Sequence, residues 1–313
     1  MIRYVFWRLL QIVPVIIGVS MIVFLLVRLI PGDPATAALG SRATPELIEQ
    51  ARSQLHLDEP LWKQYLDFLI GGLHGNFGVS YFYESSVWSI VIPRVPVTVE
   101  LIAYSSLLAL LITFPMSIAA AMKRGRATDQ VIRVAFTTAL GIPTFWLGLL
   151  LALYLGVRVK LFPIAGGGSG GLDTVYHLTL PALTIAISMS PLLVRALRSS
   201  LIEVMSSDFL TTGRASGLRG RFLLPSYMLR NSILPLITVF SINLGWLIGG
   251  TVIVEQIYAI PGLGSLLINS ISTRDYSIIQ LVTLVLALFV IVANLLTDLA
   301  YVFFDPRVEL QST

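Results

Sequence analysis

Six uninterrupted apolar runs, each close to the length of a bilayer crossing, constrain this chain more than any other feature in it. They are Leu9 to Ile30, Val97 to Met122, Val134 to Val157, Leu178 to Leu197, Ile233 to Val254 and Ile278 to Phe304. A hydrocarbon core about 30 Å thick takes about 20 residues of helix to cross. Backbone that enters lipid must bond to itself, which leaves helices or closed barrels, and barrel strands alternate in polarity over about ten residues. These runs are longer and do not alternate. With 56% hydrophobic and only 12% charged residues among 313, the expected fold class is all-α: a polytopic membrane protein with six transmembrane helices.

Charge placement sets the topology. Arg3 and Arg8 precede the first run, Lys123, Arg124, Arg126 and Arg133 flank the connection after the second, and Arg195, Arg198, Arg214, Arg219, Arg221 and Arg230 surround the connection after the fourth. The positive-inside rule makes these segments cytoplasmic, with both termini inside. Residues 31–96 mix acids with fewer cations and the 255–277 connection is almost uncharged, as outer segments should be; Arg158 and Lys160 are the exception. Because the cations are spread over connections rather than gathered in one basic domain, the net charge of +4 reports orientation in a lipid bilayer and not a nucleic-acid partner. There is no cysteine, hence neither a disulfide framework nor a thiolate metal site. The basic start and first apolar run resemble a signal peptide but offer no small-residue cleavage site, so they read as a retained span.

The organisation that follows is a first span over 1–31, an extracytoplasmic helical segment over 32–96, a five-span core over 97–304 with a polar loop at 198–232, and a tail over 305–313. In the outer segment, Thr44 and Pro45 make an N-cap with proline in the first helical position, followed by Glu46 and Glu49 at the positive end of a short helix. A second helix should begin near Pro60, with Leu61, Tyr65, Phe68 and Leu69 as its apolar face, and break at Gly71, Gly72, Gly75 and Gly78. The two suggest a small lid on the outer membrane surface. Gly166 to Gly171, reading GGGSGG, has the composition of a flexible linker.

Several chemistries are excluded. Lys63, Lys123 and Lys160 are the only lysines and none follows a glycine, so there is no Walker A loop. Buried Asp, Glu or His of the kind that relays protons is missing from the span interiors, with Arg28, Glu100, Arg195 and Asp298 confined to their ends. No G-x-S-x-G appears, and His56, His74 and His177 are dispersed. Ser188, Ser190 and Asn243 lie mid-span and are the candidates for lining a solute pathway; the competing reading of each, and of Asn294, is a hydrogen bond that glues helices together. Gly245 and Gly249 form a G-x-x-x-G that suits close helix packing, and Asn294 with Asp298 shares one helix face as a structural pair.

The remaining anomaly is the polar stretch from Asp208 to Pro235, DFLTTGRASGLRGRFLLPSYMLRNSILP. Asp208 caps a short helix whose apolar contacts would be Phe209, Leu210 and Leu218, with Gly213 and Gly217 as weak points. A basic amphipathic stretch of this kind suits a membrane surface or a soluble partner equally. The segment resembles the cytoplasmic EAA-type loop of permease subunits of binding-protein-dependent ABC importers, in particular the B-type subunit of dipeptide, oligopeptide and nickel systems, whose loop reads D-[YF]-x-x-T-A-R-A-x-G-L. Asp208, Phe209, Thr212, Arg214, Ala215, Gly217 and Leu218 match it; Gly213 replaces an alanine, and Thr211 and Thr212 stand where the wider superfamily has Glu-Ala. Further landmarks in the family's order are Pro31-Gly32-Asp33-Pro34, Gly75-Asn76-Phe77-Gly78, Pro143-Thr144-Phe145-Trp146, Leu180-Pro181-Ala182-Leu183, Pro261-Gly262-Leu263-Gly264, Arg274-Asp275-Tyr276 and Asp305-Pro306-Arg307.

The resemblance implies a type I importer permease in the bacterial cytoplasmic membrane, without catalytic residues, metal or cofactor of its own. It implies a homologous C-type permease as partner, two ABC ATPase subunits or domains that bind ATP and Mg, and an extracytoplasmic solute-binding protein. Asp208 to Leu218 would be the coupling helix. Peptides are the expected solute, with nickel, glutathione or another small solute as alternatives; a secondary carrier or channel is the reading from a different class.

Overall fold

The computed structural model describes residues 2–29, 44–54, 58–80, 82–208 and 228–304. In chain order the helices are α1 (Ile2–Leu29), α2 (Pro45–Gln54), α3 (Leu61–Leu73), α4 (Val87–Val91), α5 (Val95–Met122), α6 (Ala127–Leu140), α7 (Thr144–Leu151), α8 (Leu172–Met205), α9 (Arg230–Ile257), α10 (Leu263–Thr273) and α11 (Tyr276–Phe304), with a two-stranded hairpin, β1 (Val79–Ser80) and β2 (Ser85–Ser86), before α4. Four stretches are long and apolar enough to cross a membrane: Val87–Met122, α8, α9 and Tyr276–Ala300. A bent pair, α6 with α7, makes a fifth. In α1 the apolar stretch Leu10–Leu25 is shorter than these.

One apolar run is therefore not one helix. The chain turns by 108° between Leu140 and Thr144, because Pro143 can neither donate an N–H nor leave Ile142 helical. Gly141 and Ile142 close the end of α6 with short bonds to Thr138 and Ala139 carbonyls, and Pro143 supplies the first carbonyl of α7, to Leu147. Beyond α7 the winding loosens into a π-helical stretch, Ala152–Arg158.

The chain divides into two compact units. The first comprises Glu100–Ala259 and the chain from Val292 onward. Its centre is α8, 67% of whose apolar window is buried, against 22–33% for the other crossing stretches. α6, α7 and α9 pack around it. In lipid the apolar effect does not drive helices together, so this assembly rests on close packing and interhelical hydrogen bonds. Ile185, Met189, Leu193 and Leu197 of α8 are fully enclosed or nearly so. The polar links are specific: Ser117 Oγ donates to the Val194 carbonyl at 3.2 Å, and Tyr104 meets Thr179 at 3.3 Å. A buried node joins three helices, since the Tyr258 hydroxyl, at the end of α9, lies 2.9 Å from the Gly148 carbonyl and 3.0 Å from Thr184 Oγ1. Thr184 also reaches the Leu180 carbonyl at 2.9 Å, so two hydroxyl protons serve three contacts. Gly148 keeps the node uncrowded; a Cβ would stand 3.3 Å from the Thr184 methyl and 3.4 Å from Ile257.

The glycine-rich stretch is ordered, contrary to the linker that its composition suggests. Asp173 accepts from both the backbone and the hydroxyl of Ser169, Gly170 N–H donates to Thr174, and Gly166 N–H donates to the Tyr258 carbonyl. Gly168 shows why glycine is required: its φ is +77°, and a Cβ would meet the Thr174 backbone at 2.7 Å.

The second unit comprises Ile2–Val99 and Ile260–Ile291. The Thr44 cap forms as expected, with Leu47 N–H on Thr44 Oγ1 and Ile48 N–H on the Thr44 carbonyl. α3 begins after Pro60 but runs through Gly71 and Gly72 before it stops. The hairpin pairs Val79 with Ser86 and Ser80 with Ser85. Its Ser80 hydroxyl donates to Asp275, a carboxylate that also receives Ile278 N–H and so caps the start of α11. Thr98 Oγ1 caps α10 in the same way, from Leu263 N–H at 2.9 Å.

Replacing Tyr258 by phenylalanine is expected to cost about 1–2 kcal/mol, the net worth of the lost hydrogen bonds. The unfolding midpoint in detergent, followed by tryptophan fluorescence, should fall accordingly, and Thr184→Val should add little to the double variant because both act on one node.

Candidate coupling site

The basic end of the first unit is where the chain leaves the helical core for its longest polar connection. α8 arrives there and is stopped by two serines. Ser206 N–H and Oγ both turn back to the Ile202 and Glu203 carbonyls, and Ser207 Oγ donates to the Val204 carbonyl at 2.6 Å. These bonds occupy carbonyls that a helix end leaves unpaired, so the helix ends cleanly at Met205 and the chain is redirected one turn before Asp208. Asp208 opens the expected coupling segment; Phe209, Leu210, Thr211, Thr212, Gly213, Arg214, Ala215, Gly217 and Leu218 lie outside the described residues.

Two turns before that stop, α8 is tied to its neighbour by a charge pair. Arg198 Nε and Nη2 each lie 2.7 Å from a different oxygen of Asp129, the fork-on-fork geometry that only arginine provides. Asp129 sits in the first turn of α6 and is 3% exposed; Arg198 is 18% exposed. The same carboxylate accepts Gly125 N–H at 2.9 Å, closing the tight connection Lys123-Arg124-Gly125-Arg126 between α5 and α6. Gly125 takes φ +78°, the left-handed conformation that lets this turn close in four residues. One buried carboxylate thus fixes the α5–α6 turn, the start of α6 and the last turns of α8 relative to one another. Nothing in the sequence pairs Asp129 with Arg198, since 69 residues separate them; the available signal was a lone acid in a run of cations.

The three mid-span candidates all bond along their own helices. Ser190 is fully buried and its hydroxyl donates to the Ala186 carbonyl at 2.6 Å. Ser188, half-buried, donates to the Thr184 carbonyl at 3.0 Å, and Asn243 Nδ2, half-buried on α9, donates to the Val239 carbonyl at 2.7 Å. The structure does not bring them into one cluster by any hydrogen bond among the described residues. Gly245 and Gly249, for which helix packing was expected, have nothing within 4 Å of where a Cβ would stand. Among the described residues no group of three or more His, Asp or Glu side chains is arranged to hold a metal ion.

Removing one partner of the buried pair strands the other. Asp129→Asn or Arg198→Met is expected to cost about 3–5 kcal/mol, whereas the exchange Asp129→Arg with Arg198→Asp should recover part of the loss. Recovery stays incomplete because arginine at 129 offers Gly125 N–H no acceptor. Monodisperse yield in fluorescence-detected size-exclusion chromatography reads both outcomes.

Comparison with known proteins agrees with this architecture along the whole chain. Residues 113–310 match the family model "Binding-protein-dependent transport system inner membrane component", and residues 1–102 match the model of its N-terminal region. The chain is 33% identical to the dipeptide transport system permease protein DppB of Escherichia coli K12, with 99% of each chain covered. It is 34% identical to the oligopeptide transport system permease protein AppB of Bacillus subtilis, over 99% of this chain and 100% of the relative. With the glutathione transport system permease protein GsiC of Salmonella choleraesuis the identity is 35%, over 99% of each. Among solved structures, a chain of the MetNI methionine ABC transporter in its inward-facing form superposes with a TM-score of 0.55 at 14% identity, over 69% of this chain and 96% of that one, which shows a shared fold. The two family models together cover residues 1–102 and 113–310, and the chain belongs to the family of binding-protein-dependent transport system inner membrane components.

Proposed function

We propose that the chain is the B-type transmembrane permease of an ATP-driven importer that passes peptides from a solute-binding protein across the cytoplasmic membrane. The observation that carries this reading is the end-to-end likeness to permeases whose names specify dipeptide, oligopeptide and glutathione transport, all of them peptide solutes. Glutathione is the specific alternative within that class. Six spans, with α1 and the α6–α7 pair each counted as one, would place both termini and the basic connections in the cytoplasm. Two features support a C-type permease as partner. The α9 face that carries Ile242, Gly245, Trp246 and Ile253 is open in the single chain, and its glycines would let a second helix approach closely.

The chain contributes no catalysis in this scheme. Lacking a phosphate loop, it takes its energy from separate ATPase subunits that would hold ATP and Mg, and the segment Asp208–Leu218 is where they would grip it. Transport then requires two packings of the spans whose balance the nucleotide state shifts. Arg198 and Asp129 give the grip a rigid purchase, because a displacement at Asp208 is passed through the capped end of α8 to α6 and the α5–α6 turn.

Gly217→Trp and Asp208→Lys are expected to leave the purified chain monodisperse while lowering both co-purification with the ATPases and ATP-dependent uptake of a labelled dipeptide into proteoliposomes. Unchanged association together with unchanged uptake would remove the coupling assignment. Uptake by the chain alone, without ATPases, would favour a secondary carrier.

A further inference from the structure

The segment between α1 and α5 holds more apolar surface than its own packing uses. On α3, Tyr65 and Phe68 of the expected apolar face are engaged within the unit, while Leu61 stays 54% exposed. Tyr65 Oη lies 3.0 Å from the Ile17 carbonyl of α1 and 2.9 Å from Ser20 Oγ. The Phe24 ring meets Tyr65 edge-on at 5.3 Å and Phe68 at 6.2 Å. A second stripe is left over. Trp62, Leu66, Ile70 and Leu73 recur at helical spacing on one side of α3 and are 65, 45, 54 and 86% exposed. Lys63 and Asp67 lie along the border of that stripe, both exposed.

Three observations identify what covers it. α3 packs on the apolar stretch of α1, where Ile17, Met21, Ile22 and Leu25 are themselves open to the surroundings, and in the six-span reading, where α1 crosses the bilayer, a helix lying against it shares lipid as its solvent. The ionic groups at this end of α3 are neutralised internally: Lys63 Nζ sits 2.7 Å from Glu59, whose hydrogen bond raises the lysine pKa above its ordinary value, and the buried Gln64 donates to the Glu59 carbonyl. Trp62 and Lys63, side by side in the first turn, are the residue types that anchor helices at the headgroup level.

We infer that α3 is seated in the bilayer alongside α1, with the Trp62–Leu73 stripe against acyl chains and the Lys63–Asp67 border toward headgroups and water. The occupant of the stripe is lipid, not the binding protein or a second permease. The inference rests on the six-span reading proposed above, in which α1 crosses the bilayer, and the outer leaflet follows from the same topology. α3 is therefore a membrane-anchored helix and not part of a free extramembrane domain.

The chain has no cysteine, so a single thiol can be introduced at will. Leu66→Cys, Leu73→Cys and Asp67→Cys alter exposed positions and leave the Tyr65–Phe68 face intact. Each would carry bimane in the full-length chain, reconstituted in nanodiscs of phosphatidylcholine and phosphatidylglycerol with or without acyl-brominated lipid. Bromolipid should quench bimane at 66 and 73 about twofold or more over its effect at 67, as insertion about 5–10 Å into the acyl boundary requires, and aqueous iodide should reverse the order. Equal bromolipid quenching at all three positions, iodide access at 66 and 73, or protection of both from either quencher would each overturn the assignment, the last by showing that protein covers the stripe. The readout needs neither ATP nor substrate, so failure of the importer reading leaves it intact.

Discussion

Every break in a helix here has to answer the same demand: backbone N–H and C=O groups in or near lipid must find partners inside the protein. The 108° corner at Pro143 meets it with short bonds from Gly141 and Ile142. The end of α8 meets it with two serine hydroxyls, and the starts of α10 and α11 with Thr98 and Asp275. Inside α8, Thr184, Ser188 and Ser190 add hydroxyl bonds to the Leu180, Thr184 and Ala186 carbonyls one turn back. The polar residues that stand out in so greasy a sequence are thus largely spent on the backbone, and the irregular points of the structure lie where such residues occur.

α8 gathers the long-range links of its unit. Thr184 holds it to Tyr258 at the end of α9, whose hydroxyl in turn donates to the Gly148 carbonyl of α7; Arg198 holds it to α6. Those two attachments are 14 residues apart, about 21 Å along a helix. Hydrogen bonds to a shared hydroxyl node rearrange easily, because two protons already serve three contacts, whereas a buried bidentate ion pair is costly to open. The ion pair therefore pins α8 more firmly than the Thr184 node does.

The apolar runs and the caps could be read from residues alone because both depend on local pattern: Thr44 before Pro45 caps α2 whatever else the chain does. The bend at Pro143 was within reach of the same reasoning, since proline and glycine stand together there, yet hydropathy averaged over the run conceals it. What could not be read was long-range pairing. Asp129 prompts no reading at all, Asp275 stands only within a motif and GGGSGG suggests a flexible linker, whereas the structure brings Arg198, Ser80 and Tyr258 to them from 69, 195 and about 90 residues away. α3 failed differently: its residues suggested one apolar face, and a helix that is greasy on two sides is recognised only when a neighbour has taken one of them.

The length of α8 has a mechanical consequence. Its 34 residues extend about 51 Å, well beyond a hydrocarbon layer of about 30 Å even with a tilt of about 20°. The apolar run ends at Leu197, so in the topology proposed above the last eight residues, Arg198 to Met205, would form a stalk about 12 Å long on the cytoplasmic side. Asp208 would then stand clear of the headgroups, so that in the proposed importer a partner gripping the chain there would not compete with lipid, and a sideways push at the foot of the stalk would turn about the Arg198 pair.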